Sequence, residues 1–161
     1  MKSDPKSAGL SPVDALHLRD AIRASRAAVA AGAMPFGAVL VTADGRTLTA
    51  RNAPAVPGDR TGHAETNAVR DALAAFGAEA LRGATVYASG EPCPMCSGTM
   101  YWAGVARVVF AGSGAAMAAQ GIDTIAPGCA QMLAPLGIRV DGPWLEPDAA
   151  AVYADWAAGA R

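Results

Sequence analysis

The sequence predicts an α/β fold, a three-layer α/β/α sandwich around a five-stranded mixed sheet. Three observations predict it. Short apolar, β-branched runs recur along the chain. Segments with helical spacing of apolar residues separate most of them. The length, 161 residues, is that of one domain.

Residues 1–10 read as a flexible tail, and residues 11–161 as a single domain. Ser11-Pro12-Val13-Asp14 opens the first helix: Ser caps it, Pro takes the first helical position, and Asp sits three residues after the cap. Ala15, Leu18, Ile22 and Val29 fall broadly on one face, and Gly32 ends the helix after about Ala31. Pro35 to Thr42 is a strand, Ala43-Asp44-Gly45-Arg46 a turn, and Thr47 to Asn52 the second strand of a hairpin. Pro54, Pro57, Gly58 and Gly62 make Ala53 to Gly62 a loop. From His63 the pattern turns helical, with Val69, Ala72, Leu73 and Phe76 at i, i+3, i+4 and i+7, and Gly77 closes it. Ala84 to Ala88 is a buried strand. Glu91-Pro92-Cys93-Pro94 turns into a helix over Pro94 to Ala103. Val105 to Phe110 is a strand, Ala130 to Leu136 a short helix, and Ile138 to Val140 a last strand. Pro147 to Ala158 forms a terminal helix with Val152, Tyr153 and Trp156 as its stripe.

Composition excludes several classes. An apolar fraction of 52% with 17% charged residues is not that of a disordered chain. No uninterrupted apolar stretch reaches the ~18 residues of a membrane helix. Met1 to Gly9 is polar, with Lys2, Asp4 and Lys6, and lacks the apolar run of a signal peptide, so a cytoplasmic location without membrane contact is expected. The net charge of −1 and sequence pI near 6.1 argue against a phosphate-gripping surface. Beyond Phe110 the bases are Arg139 and Arg161, against the acids Asp123, Asp141, Glu146, Asp148 and Asp155. A nucleic-acid partner is therefore not expected. Three cysteines, Cys93, Cys96 and Cys129, are no disulfide framework. In a reducing compartment a close pair reads as metal ligands or a redox centre.

The chemistry concentrates in His63-Ala64-Glu65 and Pro92-Cys93-Pro94-Met95-Cys96. Catalytic zinc takes three protein ligands and keeps one position open for water. His63, Cys93 and Cys96 supply that count. Each cluster opens a helix, whose positive N-terminal end favours thiolate over thiol. Glu65, two residues beyond His63, can exchange a proton with the activated water. Other residues have plainer readings. Met95 fills core, Cys129 is a small buried hydrophobe, His17 is a surface residue, and Trp144 and Trp156 pack or form an interface. Gly112-Ser113-Gly114 lacks the third glycine of a dinucleotide fingerprint.

The pattern H-x-E…P-C-x-x-C resembles the zinc-dependent cytidine/deoxycytidylate deaminase superfamily. Over about Leu10 to Ala111 the chain is most similar to bacterial guanine deaminases, with tRNA adenosine deaminases next. Met34-Pro35-Phe36-Gly37-Ala38-Val39 resembles the start of the guanine deaminase strand, and Met100-Tyr101-Trp102-Ala103 its Ile-Tyr-Trp-Ala. Gly62 departs from the Ala usual before the ligand His, and Gly90 from a Cys common before Glu91.

The resemblance implies a cytidine deaminase-like fold and one Zn2+ per chain on His63, Cys93, Cys96 and water. Glu65 is then the catalytic proton carrier. The implied substrate is a free purine base, guanine first, deaminated to xanthine and ammonia. Phe36 would stack on the base, Asn52 and the backbone at Ala64 would bind it, and the acids Asp123 and Glu146 would read its edge. A tRNA adenosine deaminase, a cytosine or other nucleobase deaminase, and a non-catalytic zinc protein are the alternatives. A homodimer, with C-terminal segments exchanged between copies, is also expected.

Overall fold

The computed structural model describes residues 9–159, so most of the expected tail lies outside the described residues. Leu10, at the end of that stretch, packs against the core. Helix α1 (Pro12–Ala30) opens on the expected cap, with Ser11 Oγ accepting the Asp14 N–H at 3.1 Å. Strands β1 (Gly37–Val41) and β2 (Thr47–Arg51) form the hairpin, turned at Gly45 with φ +89°. Then follow α2 (Ala64–Phe76), α3 (Ala78–Leu81), β3 (Thr85–Gly90), α4 (Pro94–Ala103) and β4 (Arg107–Gly112). The remainder is α5 (Gly114–Ala118), α6 (Cys129–Leu133), β5 (Arg139–Asp141) and α7 (Glu146–Gly159).

The strands build one five-stranded sheet in the order β2-β1-β3-β4-β5. β1 is antiparallel to both β2 and β3, whereas β3, β4 and β5 run parallel. Parallel neighbours need crossovers, and helices supply them. Side chains alternate across the sheet. Leu40, Val86 and Val108 face a core completed by Ala68, Val69 and Met100 from α2 and α4 and Leu133 from α6. Val39, Tyr87 and Val109 face the other core, completed by Leu18 and Ile22 of α1 and Val152 and Tyr153 of α7. The expected mixed sheet between two helical layers is therefore present. Among the described residues no helix is long and apolar enough to cross a membrane.

Gly37 explains how closely α1 lies on the sheet: a Cβ there would run into the Ala21 carbonyl and the Ala24 side chain. The fourth strand starts two residues later than expected. Gly104, left-handed at φ +84°, still caps α4, and the Val105 N–H bonds back to the Met100 carbonyl at 3.1 Å. The short helices α3 and α5 carry too little apolar periodicity to be read from sequence. Met95 does not fill core: it is 37% exposed, on the outer side of α4. His17 is half-buried, its ring centroid 4.9 Å from that of Tyr87. Cys129 is fully buried, as expected.

A partly buried ion network bolts the start of α1 to the sheet. Asp14 Oδ1 accepts from Tyr87 Oη at 2.7 Å and from Arg107 Nη1 at 2.8 Å, and Oδ2 accepts from Arg107 Nη2 at 3.0 Å. Arg107 Nε reaches Asp141 at 2.8 Å. The Arg107 hydrogen bonds hold the Asp14 carboxyl down at about 2, against burial.

Candidate active site

Two helix N-termini meet at one end of the sheet. His63 is the N-cap of α2 and Cys93 the N-cap of α4, with Pro94 behind it. Neither side chain bonds its own helix, so both are free to turn toward each other. Cys96, one turn into α4, completes the group from a fully buried position.

The geometry suits zinc. With bonds of about 2.05 Å to nitrogen and 2.3 Å to sulfur at tetrahedral angles, N and S ligand atoms stand about 3.6 Å apart. His63 Nδ1 lies 3.5 Å from Cys93 Sγ and 3.6 Å from Cys96 Sγ. All three donor atoms fall within 4.8 Å of one another. Two thiols and one imidazole are a zinc-type donor set, and three protein donors leave a fourth position open. Thr66 Oγ1 sits 3.4 Å from Cys96 Sγ and orients that thiol.

The ionisation pattern agrees. The Cys96 contact, helped by His63, pushes the Cys93 thiol down to about 4. The same contact and burial push Cys96 up. The contact with Cys93 raises His63. Glu65, 5% exposed, is pushed up to about 7, chiefly by burial.

A cavity of about 270 Å³ opens over this cluster. Phe36, His63, Glu65 and Cys93 form its floor side, and Asp123 lies on its outer wall. Asn52, Ala64 and Glu146 do not line it. Asn52 is buried and donates its backbone N–H to the Phe36 carbonyl at 2.9 Å. Ala64 is buried at the first position of α2. Glu146 accepts from the Ser113 hydroxyl at 3.1 Å. The outer wall also holds Glu91, Met117 and the stretch Thr124–Ala126, which sequence reasoning did not assign to the site. Glu91 had a signal, its place beside the Cys pair; the 124–126 stretch had none.

The two departures at glycine have packing reasons. A Cβ on Gly62 would strike the Ala53 carbonyl and Pro54 Cα. Asn67 Nδ2 fastens that same loop, donating to the carbonyls of Arg51, Ala53 and Gly62 at 3.1–3.2 Å. A Cβ on Gly90 would lie 2.9 Å from Phe36 Cε1 and 2.8 Å from Tyr153 Oη. Tyr153 takes that space, donating to the Ser89 carbonyl at 2.7 Å, with its ring 5.8 Å from Phe36. The C-terminal helix thus backs the aromatic wall of the cavity.

Residues 12–112 match the family model of the cytidine and deoxycytidylate deaminase zinc-binding region. A probable cytosine deaminase of Schizosaccharomyces pombe is 38% identical over 104 residues, covering 65% of this chain and 63% of that protein. A solved structure of guanine deaminase from Nitrosomonas europaea superposes with a TM-score of 0.77 at 27% identity, over 92% of this chain and 85% of its own. A tRNA deaminase that edits A to I at the wobble position superposes at 0.57 with 34% identity, over 62% and 76%. The chain spans about three fifths of the length of the curated relatives it matches.

Proposed function

Because the chain belongs to the cytidine and deoxycytidylate deaminase zinc-binding family, we propose that it is a zinc-dependent aminohydrolase acting on a free purine base. The reaction is guanine plus water giving xanthine and ammonia. The likeness to one guanine deaminase structure supports the choice of base. The likeness to the guanine deaminase structure extends over 92% of this chain, past residue 112 and into the span that walls the cavity, against 62% for the tRNA deaminase. A cavity of about 270 Å³ also lies just below the ~300–1,000 Å³ of drug-sized ligand sites, as suits a small ligand.

Zinc on His63, Cys93 and Cys96 supplies a Lewis acid that makes water nucleophilic at neutral pH. Glu65 takes the proton of the attacking water and gives it to the ring nitrogen beside the carbon that bears the amine. It then assists the departing ammonia. Burial raises the Glu65 carboxyl, which favours its taking up a proton. Phe36 offers the stacking face. Asp123, in the cavity lining, reads the edge of the base.

The cytosine deaminase and tRNA deaminase relatives keep those substrates as the competing readings. Steady-state kinetics on guanine, cytosine and an anticodon stem-loop decide between them. Guanine turnover should change little between low and moderate salt, because no phosphate counterions are released. Efficient, steeply salt-dependent deamination of the stem-loop with guanine inert overturns the proposal.

The chain acts as a homodimer in the cytoplasm, where its three thiols stay reduced. Trp102, 85% exposed beside Tyr101, and the half-covered Met95 give α4 an apolar outer side that a second copy would cover, with C-terminal segments exchanged. Mass measurement at micromolar concentration tests this; a monomer alone refutes it.

A further inference from the structure

The outer wall of the cavity is a span with little hold of its own. Between α5 and α6, residues 123–127 are exposed. Met117 and Ile122 anchor the near end in the core. One side chain reaches both ends. Glu91 Oε2 accepts the Gly114 N–H at 3.1 Å, at the start of α5, and Glu91 Oε1 accepts the Cys129 N–H at 3.2 Å, at the start of α6. Its backbone is itself fixed to the sheet, with the Glu91 N–H donating to the Gly112 carbonyl at 2.7 Å.

The glycines beside these contacts fit the same arrangement. A Cβ on Gly128 would stand 2.8 Å from Glu91 Oε1, and one on Gly114 3.5 Å from Oε2. Glycine at 128 lets the carboxylate come close. We propose that Glu91 is a positioning residue: it draws the two ends of the 114–129 span together and so holds Asp123 and its neighbours over the base. This rests on the reading that a free base occupies the cavity. Glu91 belongs to neither the ligand cluster nor the proton transfer. Its loss should therefore weaken capture of the base more than the chemical step, raising KM rather than lowering kcat.

Glu91→Ala removes both acceptors and Glu91→Gln one of them. Charge-assisted hydrogen bonds of this kind are worth about a tenfold effect or more. Glu91→Ala should raise KM for guanine by about tenfold or more, with kcat within about threefold and zinc content unchanged. Glu91→Gln should fall between it and wild type. Gly128→Ala, which pushes on the same carboxylate without removing it, should raise KM in the same direction. Amide hydrogen exchange gives a reading independent of substrate: the Gly114 and Cys129 N–H groups should exchange faster in Glu91→Ala, while the β3 and β4 amides stay protected. Unchanged exchange at Gly114 and Cys129, or a kcat loss with KM unmoved, or loss of zinc, overturns the proposal. If the wild-type chain leaves guanine unchanged, the substrate reading fails, and the exchange measurement still decides the tether.

Discussion

Asp14 and Glu65 are both buried carboxylates, and the fold uses them in opposite ways. Asp14 is saturated, with Tyr87 and both arms of Arg107 filling its oxygens, and its carboxyl is held down at about 2. Glu65 has no arginine partner, lines an open cavity, and burial pushes it up to about 7. A satisfied buried charge is a rivet. A buried carboxyl facing a cavity beside a metal cluster is, on the proposed reading, the proton carrier. The environment assigns the role, and the residue type does not.

The largest expected effect breaks the cluster that makes Glu65 useful. His63→Ala or Cys96→Ala removes one of three donors, so bound zinc, read by atomic emission, should drop from about one per chain to near zero, and activity with it. Retention of stoichiometric zinc refutes the ligand assignment.

Next, Glu65→Ala should lower kcat by about 10³, within the ~10²–10⁴ range for a general acid–base group, while zinc content and fold stay intact. Near-normal turnover, or lost zinc, would make Glu65 something other than the proton carrier.

A smaller loss comes from the cavity wall. Phe36→Val should raise KM for guanine by about tenfold, from the ~1–3 kcal/mol that stacking on a base contributes. An unchanged KM would place the base elsewhere.

Asp14 offers the smallest effect, and its sign is definite. Its folded value of about 2 lies below the ordinary 3.8. Above about pH 5 both folded and unfolded chains hold it ionised, and its contribution is complete. As pH falls toward 2 the unfolded chain takes the proton first and the contribution is lost, in total about 2 kcal/mol. The gap in urea-unfolding free energy between wild type and Asp14→Asn should narrow by that amount over this range. A gap independent of pH would show that Asp14 is not held as a charge. Activity near neutrality should not follow this titration, which separates the rivet from the carrier.

The zinc ligands were legible because each is written locally. His63 and Glu65 are two apart, Cys93 and Cys96 three apart, and each cluster sits at a helix start marked by loop residues before it. The Ser11 cap and the hairpin turn were legible for the same reason. Asp14 reads locally as a first-turn acid, and nothing nearby announces Arg107, 93 residues away. Glu91 likewise reads as a turn residue, though it binds Gly114 and Cys129, 23 and 38 positions on. Asn67 gathering three carbonyls, and Tyr153 filling the space beside Gly90, were hidden in the same way.

By itself, then, the sequence determined the order of the five strands and the longer helices, the two-sided sheet and the donor set, because helical periodicity, strand alternation, caps and ligand spacing act over a few residues. Only the tertiary structure decided which buried carboxylate is neutralised by a cation and which is left to titrate. It also decided which residues wall the cavity and what holds that wall in place. Those outcomes depend on groups brought together from distant parts of the chain, where hydrogen bonding and desolvation act through space and leave no mark in the local pattern.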